Sequence, residues 1–271
     1  MDIGVMIRNM GEQSTRELVG ECALAAQALD FESVWITDHI AIPPDDAEGS
    51  GGRYLDTLTT LAWLAGLTET INLGSGVLIL PYRAALPTAK QIATLQELSA
   101  NRLILGVGIG WMDAEFQALG VDRHARGKIS DATLEFFNAC FANDEVESNG
   151  QSILFKPRPK QPPILIGGRA PYATQRAARY ADGWLPMVRA PEDLESDVAA
   201  YREQTDALGK PPGQITAMTG LPLADQAECG LLCDAYQMQG VDRLVSAVRY
   251  DTIDDFRQQI EQLAIVRDAL E

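Results

Sequence analysis

The strongest constraint on the fold is an alternation of short apolar runs, rich in β-branched residues, with longer segments of helical periodicity. Alternating strands and helices favour a parallel sheet with right-handed crossovers, and strands that are apolar throughout favour a sheet covered on both faces. Eight such units in 271 residues predict an α/β protein, a single (β/α)8 TIM-barrel domain over residues 1–271. The expected strands are 3–7, 33–37, 71–80, 103–109, 163–166, 183–187, 215–219 and 244–248.

One stretch between the fourth and fifth expected strands, residues 111–162, interrupts the alternation. Helical periodicity within it predicts helices over 113–119 and 129–141. The remainder, 143–162, is polar and rich in proline, so we expect an irregular excursion on the surface. No shift in composition marks a second domain, and the stretch is therefore interpreted as an insertion in the barrel.

The balance of charged residues argues against polyanionic partners. The chain has 22 Lys and Arg against 38 Asp and Glu, and its formal net charge of −16 repels nucleic-acid phosphates and anionic lipids. The longest apolar run, near 71–80, is too short to span a bilayer, and the N-terminal residues do not resemble a signal peptide. We therefore expect a cytoplasmic protein that binds neither nucleic acid nor membranes.

Cysteines and histidines give little support to a disulfide scaffold or a metal centre. Four cysteines in 271 residues are too few for a disulfide framework. The two histidines, His39 and His124, are far apart in sequence, whereas a metal-dependent hydrolase barrel needs several histidines and carboxylates that converge. A hydrolase of that kind is an unfavoured alternative, and no metal site is predicted.

Functional side chains of such a barrel collect at the carboxyl ends of its strands. His39 follows Asp38 at the end of the second strand, where a proton donor is useful, although a structural histidine is the alternative. Alternating glycines that include Gly108 and Gly110 indicate room for a flat group, or else tight packing against inward side chains. Residues 167–169, Gly-Gly-Arg before a helix, suit a phosphate, and a plain loop fits them equally well.

Several motifs that occur in order give a more specific signal than any one of them alone. Through them the chain resembles the bacterial-luciferase-like flavin and deazaflavin oxidoreductases, clearly over residues 1–190 and weakly beyond. The segments that carry the resemblance are 31–39 (FESVWITDH), 71–77 (INLGSGV), 90–95 (KQIATL), 98–103 (LSANRL), 105–111 (LGVGIGW), Glu115-Phe116 with Leu119-Gly120, and 162–168 (PPILIGG).

This resemblance implies that the barrel binds FMN or the deazaflavin coenzyme F-420, with the ring at the strand ends. Relatives have a non-prolyl cis peptide against the ring, which maps here to Ser75-Gly76 or Gly76-Val77. His39 matches the proton-donating position and is the expected catalytic residue. The expected cofactor-binding residues are Asp38, Ser75, Gly76, Val77, Gly108 and Gly110 near the ring and ribityl chain, and Gly167, Gly168 and Arg169 near the phosphate or ribityl group.

Two reactions and one non-catalytic function stay open. The resemblance implies either hydride transfer between F-420 and a small organic substrate, or monooxygenation with reduced FMN supplied by a separate reductase. A barrel that binds flavin without turnover is the alternative. Trp111 stands where the sugar-phosphate dehydrogenase branch has Glu, and the sequence shows no second basic cluster, so a sugar phosphate or a heavily anionic substrate is not expected.

The expected helix over residues 54–67 is apolar around more of its surface than one stripe on a barrel requires. This width predicts an isologous homodimer through the helix, in agreement with the habit of the resembled family. Burial of the helix beneath the excursion is the alternative interpretation.

Overall fold

The computed structural model describes residues 1–187 and 190–270, and a parallel barrel closes within them as predicted. Its strands are β1 (Asp2–Met6), β2 (Ser33–Ile36), β3 (Asn72–Ser75), β4 (Leu78–Ile79), β5 (Leu103–Gly108), β8 (Ile164–Gly167), β9 (Gly183–Leu185), β10 (Gln214–Thr219) and β11 (Arg243–Ala247), and two further strands, β6 (Glu145–Ser148) and β7 (Gln151–Leu154), lie outside it. β3 and β4 are two parts of one barrel strand. The pairing of β3 with β5 closes the ring, in which β1 lies between β2 and β11.

Helices cover the outer surface of the barrel. They are α1 (Arg16–Ala28), α2 (Thr57–Leu67), α3 (Ala85–Leu98), α4 (Asp113–Leu119), α5 (Arg126–Ala142), α6 (Tyr172–Tyr180), α7 (Glu195–Ala207), α8 (Gln226–Met238) and α9 (Ile253–Ala269). Their starts follow local capping chemistry: Thr15 accepts a hydrogen bond from the Leu18 N–H, and Thr252 and Asp255 form a reciprocal capping box. No helix among the described residues is long and apolar enough to cross a bilayer.

The insertion between the fourth and fifth barrel strands is more regular than expected. α4 and α5 lie where helical periodicity predicts them. The prediction that residues 143–162 are irregular is wrong for 145–154, where β6 and β7 form an antiparallel hairpin. Its turn contains Asn149 and Gly150 with φ of 50° and 75°, the left-handed conformation that an Asn-Gly hairpin turn requires. That dipeptide is the sequence signal for the hairpin.

The interior of the barrel is filled by large side chains that point inward from several strands. Trp35, Ile104, Leu165, Leu185, Met218 and Val245 form one buried cluster. Gly74 makes room for the Trp35 ring, since a Cβ atom at Gly74 would lie 2.2 Å from a ring carbon. Leu185 and Met218 also line the cavity described below, so this cluster supports that cavity from within the barrel.

The apolar width of α2 is largely covered within the chain. Leu58, Leu61 and Leu64 belong to the main hydrophobic core. Trp63 packs over α1, because a Cβ atom at Gly20 would lie 2.8 Å from its ring. Burial within the chain therefore explains most of the wide apolar surface of α2, from which the homodimer was predicted. The homodimer stays a prediction.

Candidate active site

A cavity of about 470 Å³ opens at the carboxyl ends of the barrel strands, within the size range of small-molecule and cofactor sites. Nine of the ten predicted site residues line it: Asp38, His39, Gly76, Val77, Gly108, Gly110, Gly167, Gly168 and Arg169. Ser75, the tenth, is buried and its hydroxyl donates to the Gly106 carbonyl at 2.8 Å. Its side chain therefore joins β3 to β5 and does not line the cavity.

The break between β3 and β4 lies on the cavity wall. The peptide bond between Gly76 and Val77 is cis, at one of the two positions expected from the resemblance, and that expectation is confirmed. Gly76 and Val77 both line the cavity. On the other side of this segment, a Cβ atom at Gly76 would lie 2.6 Å from the Met218 methyl carbon.

The glycines of the neighbouring strands make room for Val77. A Cβ atom at Gly108 would lie 2.6 Å from one Val77 methyl group, and one at Gly167 would lie 2.7 Å from the other. Packing against an inward side chain, the alternative interpretation of the glycine pattern, thus accounts for Gly108. The two glycines seat Val77, which in turn lines the cavity.

His39 is held by a buried carboxylate that the sequence analysis did not assign to the site. Its Nδ1 lies 2.8 Å from Oε2 of Glu115, whose side chain is 0% exposed. The His39 ring also contacts the rings of Tyr54 and Trp111, at centroid distances of 5.0 and 6.1 Å. His39 is therefore oriented on the cavity wall by one hydrogen bond and two aromatic neighbours.

Glu115 is ionised despite its burial. Burial alone raises the pKa of a carboxyl group, but the N–H groups of Ala41 and Ile40 donate to Oε1 at 3.0 and 2.7 Å, and the His39 ring lies against Oε2. Together these contacts hold the pKa of Glu115 below its ordinary value. Tyr82 also donates to Oε2, at 2.9 Å. Because a carboxylate only accepts hydrogen bonds, Nδ1 of His39 carries the hydrogen, which leaves Nε2 for the cavity.

The lowered pKa of Glu115 makes this carboxylate a source of stability at neutral pH. Its pKa in the folded protein is below 4.5, the ordinary value, so the stabilisation is fully present above pH 4.5 and is lost as the pH falls towards the folded pKa. We expect the difference in unfolding free energy between wild type and Glu115→Gln, measured in urea, to shrink from about pH 7 to about pH 3. A difference that is independent of pH would contradict this account.

Asp38 lines the cavity, but its carboxylate is turned towards an arginine. Arg83 forms a bidentate pair with it at 2.7 and 2.8 Å, and the Ile79 N–H and the Thr57 hydroxyl each donate at 2.8 Å. The Asp38 side chain is 0% exposed. Its carboxylate therefore fixes the ends of β2 and β4 and the start of α2, and the cofactor contact predicted for Asp38 stays a prediction.

The loop after β8 is anchored beneath Arg169. The Gly168 N–H donates to the Leu185 carbonyl at 3.1 Å, and Nε1 of Trp184 donates to the Gly168 carbonyl at 2.9 Å. Arg169 itself is exposed and makes no ion pair with any described residue. A free guanidinium at the cavity edge beside the start of α6 suits an anionic group.

Sequence reasoning missed Glu115 and Arg83 as functional residues, although both lie near motifs that it used. Glu115 belongs to one of the segments that carry the family resemblance, and its burial in α4 is explained by its hydrogen bonds to the His39 segment and to Tyr82. Arg83 follows the short helical turn after β4, and the clue to its role is that Asp38 needs a counter-charge.

Comparison with known proteins shows the family of the chain. A family model described as luciferase-like monooxygenase matches residues 1–228, most of the chain. The chain belongs to this family. Members of this family are oxidoreductases, and that is the general class of this chain.

Two curated relatives match long stretches of the chain. An uncharacterized protein of Mycobacterium tuberculosis is 31% identical over 254 residues, covering 87% of this chain and 83% of its own. A 5,10-methylenetetrahydromethanopterin reductase of Methanolobus tindarius is 28% identical over 202 residues, covering 73% of this chain and 58% of its own.

Solved structures confirm the barrel fold. A monooxygenase from Streptomyces bottropensis superposes with a TM-score of 0.82 at 18% identity, covering 98% of both chains. An F-420-dependent secondary alcohol dehydrogenase in complex with an F-420–acetone adduct superposes with a TM-score of 0.81 at 14% identity, covering 97% of this chain and 98% of the other. At these identities the likeness concerns the fold.

Proposed function

We propose that this protein binds coenzyme F-420 in the cavity at the strand ends and moves a hydride between it and a small organic substrate. The observation that carries the proposal is the His39–Glu115 pair on the wall of a largely apolar cavity, in a chain of this family. The reductase relative from Methanolobus tindarius supports transfer of reducing equivalents as the reaction class.

The residues around the cavity fit a flavin-type group. Val77, Ile79, Leu185 and Met218 offer apolar surface for a flat ring system, and the exposed Arg169 offers a cation for a phosphate. Residues that would hold the ring and ribityl chain are Gly76, Val77, Gly108 and Gly110, and those that would hold the phosphate are Gly167, Gly168 and Arg169. When bound, the group would supply the hydride chemistry, which no protein side chain provides.

His39 contributes a positioned proton-transfer group. Glu115 accepts the Nδ1 hydrogen and so fixes the tautomer and the ring plane. Because Nδ1 faces Glu115, Nε2 is the ring nitrogen that can pass a proton to a substrate oxygen in the cavity. The apolar walls keep water from competing for that proton.

Monooxygenation with reduced FMN is the second candidate, and the description of the matching family favours it. In that case the chain would depend on a separate reductase that supplies the reduced flavin. Both candidates need the same cavity and the same proton donor, so they differ in the cofactor and not in the site. A barrel that binds flavin without turnover is the third outcome.

A cofactor titration tests the proposal. Purified protein is titrated with F-420, FMN and reduced FMN, and binding is followed by fluorescence or calorimetry. We expect F-420 to bind at least about tenfold more tightly than FMN, a difference of about 1.4 kcal/mol. Tight binding of reduced FMN with weak binding of F-420 would favour the monooxygenase candidate. Failure of all three to bind would overturn both candidates.

A further inference from the structure

A second cavity, of about 840 Å³, lies beside the cofactor cavity at the ends of β1, β10 and β11. Met6 lines both cavities, and Gly220, in the second, follows two residues after Met218, in the first. We call it the arginine cavity. It is lined by Met6, Arg8, Met10, Gly220, Ala247, Val248, Arg249, Tyr250, Asp251, Asp255, Gln258 and Gln259. The two cavities are therefore neighbours at the same end of the barrel.

Arg8 has hydrogen-bonding capacity that the protein leaves unused. Its Nε atom is buried and has no hydrogen-bond partner among residues 1–187 and 190–270. Its closest acceptor contact is a long one, from Nη2 to the Gly49 carbonyl at 3.4 Å. The backbone at Arg8 is fixed, because its N–H donates to the Tyr250 hydroxyl at 2.8 Å. A buried guanidinium nitrogen without an acceptor costs free energy unless a ligand supplies one.

Arg249 brings a second guanidinium to the same cavity. It follows β11, its side chain is exposed, and it forms no ion pair with any described residue. Its backbone is held by the Gln259 amide, which accepts from the Arg249 N–H at 3.3 Å and donates to the Arg249 carbonyl. The two arginines are 241 positions apart in sequence, so no basic cluster was visible there.

Two aspartates also line the cavity, and each already accepts hydrogen bonds from the protein. Asp251 accepts from the Gln13 side chain at 2.8 Å. Asp255 accepts from the N–H groups of Thr252 and Asp251 at 3.0 and 3.3 Å, contacts that cap α9. Nε of Arg8, which has no acceptor among the described residues, and the exposed guanidinium of Arg249 are donors that suit a ligand with acceptor oxygens.

We propose that Arg8 and Arg249 bind a carboxylate or phosphate group in the arginine cavity. Guanidinium groups pair with such oxyanions through two parallel hydrogen bonds. Met6, Met10 and Val248 provide apolar surface for the rest of the ligand. The oxyanion belongs either to the substrate, which would then be a small organic acid or phosphate ester, or to the anionic tail of the cofactor. The role of this site in the reaction depends on the proposed function. The binding of an oxyanion by the two arginines does not depend on it.

The first test uses cofactor-free protein and two probes, inorganic phosphate and benzoate, in calorimetric titrations. Arg8→Gln and Arg249→Gln are each expected to weaken binding of at least one probe by about tenfold or more. Arg16→Gln is the matched control, since it removes the same charge from a side chain that is 80% exposed on α1, and it should bind as wild type does. Arg249 is exposed, so its variant keeps the test valid even if the Arg8 variant fails to fold.

The second test repeats the titrations with F-420 and FMN. Weaker F-420 binding in both arginine variants, with FMN binding unchanged, would assign the oxyanion to the cofactor tail. Unchanged cofactor binding with weakened probe binding would assign it to the substrate. Equal binding of every ligand to wild type, both variants and the control would overturn the site. If wild type binds neither cofactor yet binds a probe through both arginines, the proposed function fails and the oxyanion site stands.

Discussion

Replacing His39 by Ala is expected to lower turnover by about a hundredfold to ten-thousandfold, the usual contribution of a positioned acid–base group. Cofactor binding should be nearly unchanged, because the cavity is lined mainly by backbone and apolar side chains that the substitution leaves in place. The measurement pairs steady-state kinetics, using the cofactor that binds and the best substrate of a screen, with a cofactor titration of the same preparation.

Two further variants make the His39 result specific. His124→Ala removes the other histidine, which is exposed and does not line the cavity, and should leave turnover as in wild type. Glu115→Gln keeps an oxygen acceptor for Nδ1 but removes the charge from the hydrogen bond that orients the ring, so turnover should fall less than in His39→Ala. Turnover of His39→Ala equal to that of wild type would remove His39 from the reaction.

The barrel could be predicted because each of its strands and helices has a recognisable pattern in the local sequence. Strands such as β5 and β8 are apolar throughout, and the helices between strands show helical periodicity and capping residues. Chirality and pairing rules then leave few ways to arrange eight parallel strands in a chain of this length. The closed order β1–β2–β3–β5 and β8–β9–β10–β11 follows from these rules.

The sequence predicted the site residues that lie singly at strand ends. It did not predict the residues with which they pair. His39 and Glu115 are 76 positions apart, and Asp38 and Arg83 are 45 positions apart. Closure of the barrel, and not spacing in the sequence, brings such partners together. For the same reason, the sequence did not indicate that Arg8 and Arg249 line one cavity, where β1 and β11 are neighbours.

The glycine pattern shows a different limit of sequence reasoning. Alternating glycines in a strand indicate that something approaches the backbone closely, but not what approaches it. At Gly108 and Gly167 it is the side chain of Val77, a residue of the same chain. The cofactor is thus expected against Val77 and the edges of these strands, and not in a space that the missing side chains leave empty.

Removal of either partner of the Asp38–Arg83 pair is expected to destabilise the protein by about 3–5 kcal/mol. Arg83→Met leaves the buried Asp38 carboxylate without its counter-charge, and Asp38→Ala leaves Arg83, among the described residues, only its longer ion pair with Asp56, at 3.3 Å. Burial alone lowers the pKa of Arg83, but the hydrogen bonds and charge of Asp38 raise it above its ordinary value. The Asp38 carboxylate also accepts from the Ile79 N–H, so Asp38→Ala should loosen the end of β4 on the cavity wall. Urea unfolding of Asp38→Ala and Arg83→Met measures the loss as a lower midpoint.

The double variant Asp38→Ala/Arg83→Met separates the pair interaction from the loss of packing. It should be more stable than the sum of the two single effects predicts, since removal of both charges leaves neither uncompensated. Arg16→Met, which breaks an exposed contact of 3.9 Å with Glu17, is the matched control and should cost about 0–1 kcal/mol. Strictly additive single effects, or single effects no larger than that of the control, would show that the pair does not hold β2, β4 and α2 together. The cavity would then owe its shape to Val77 and the barrel interior alone.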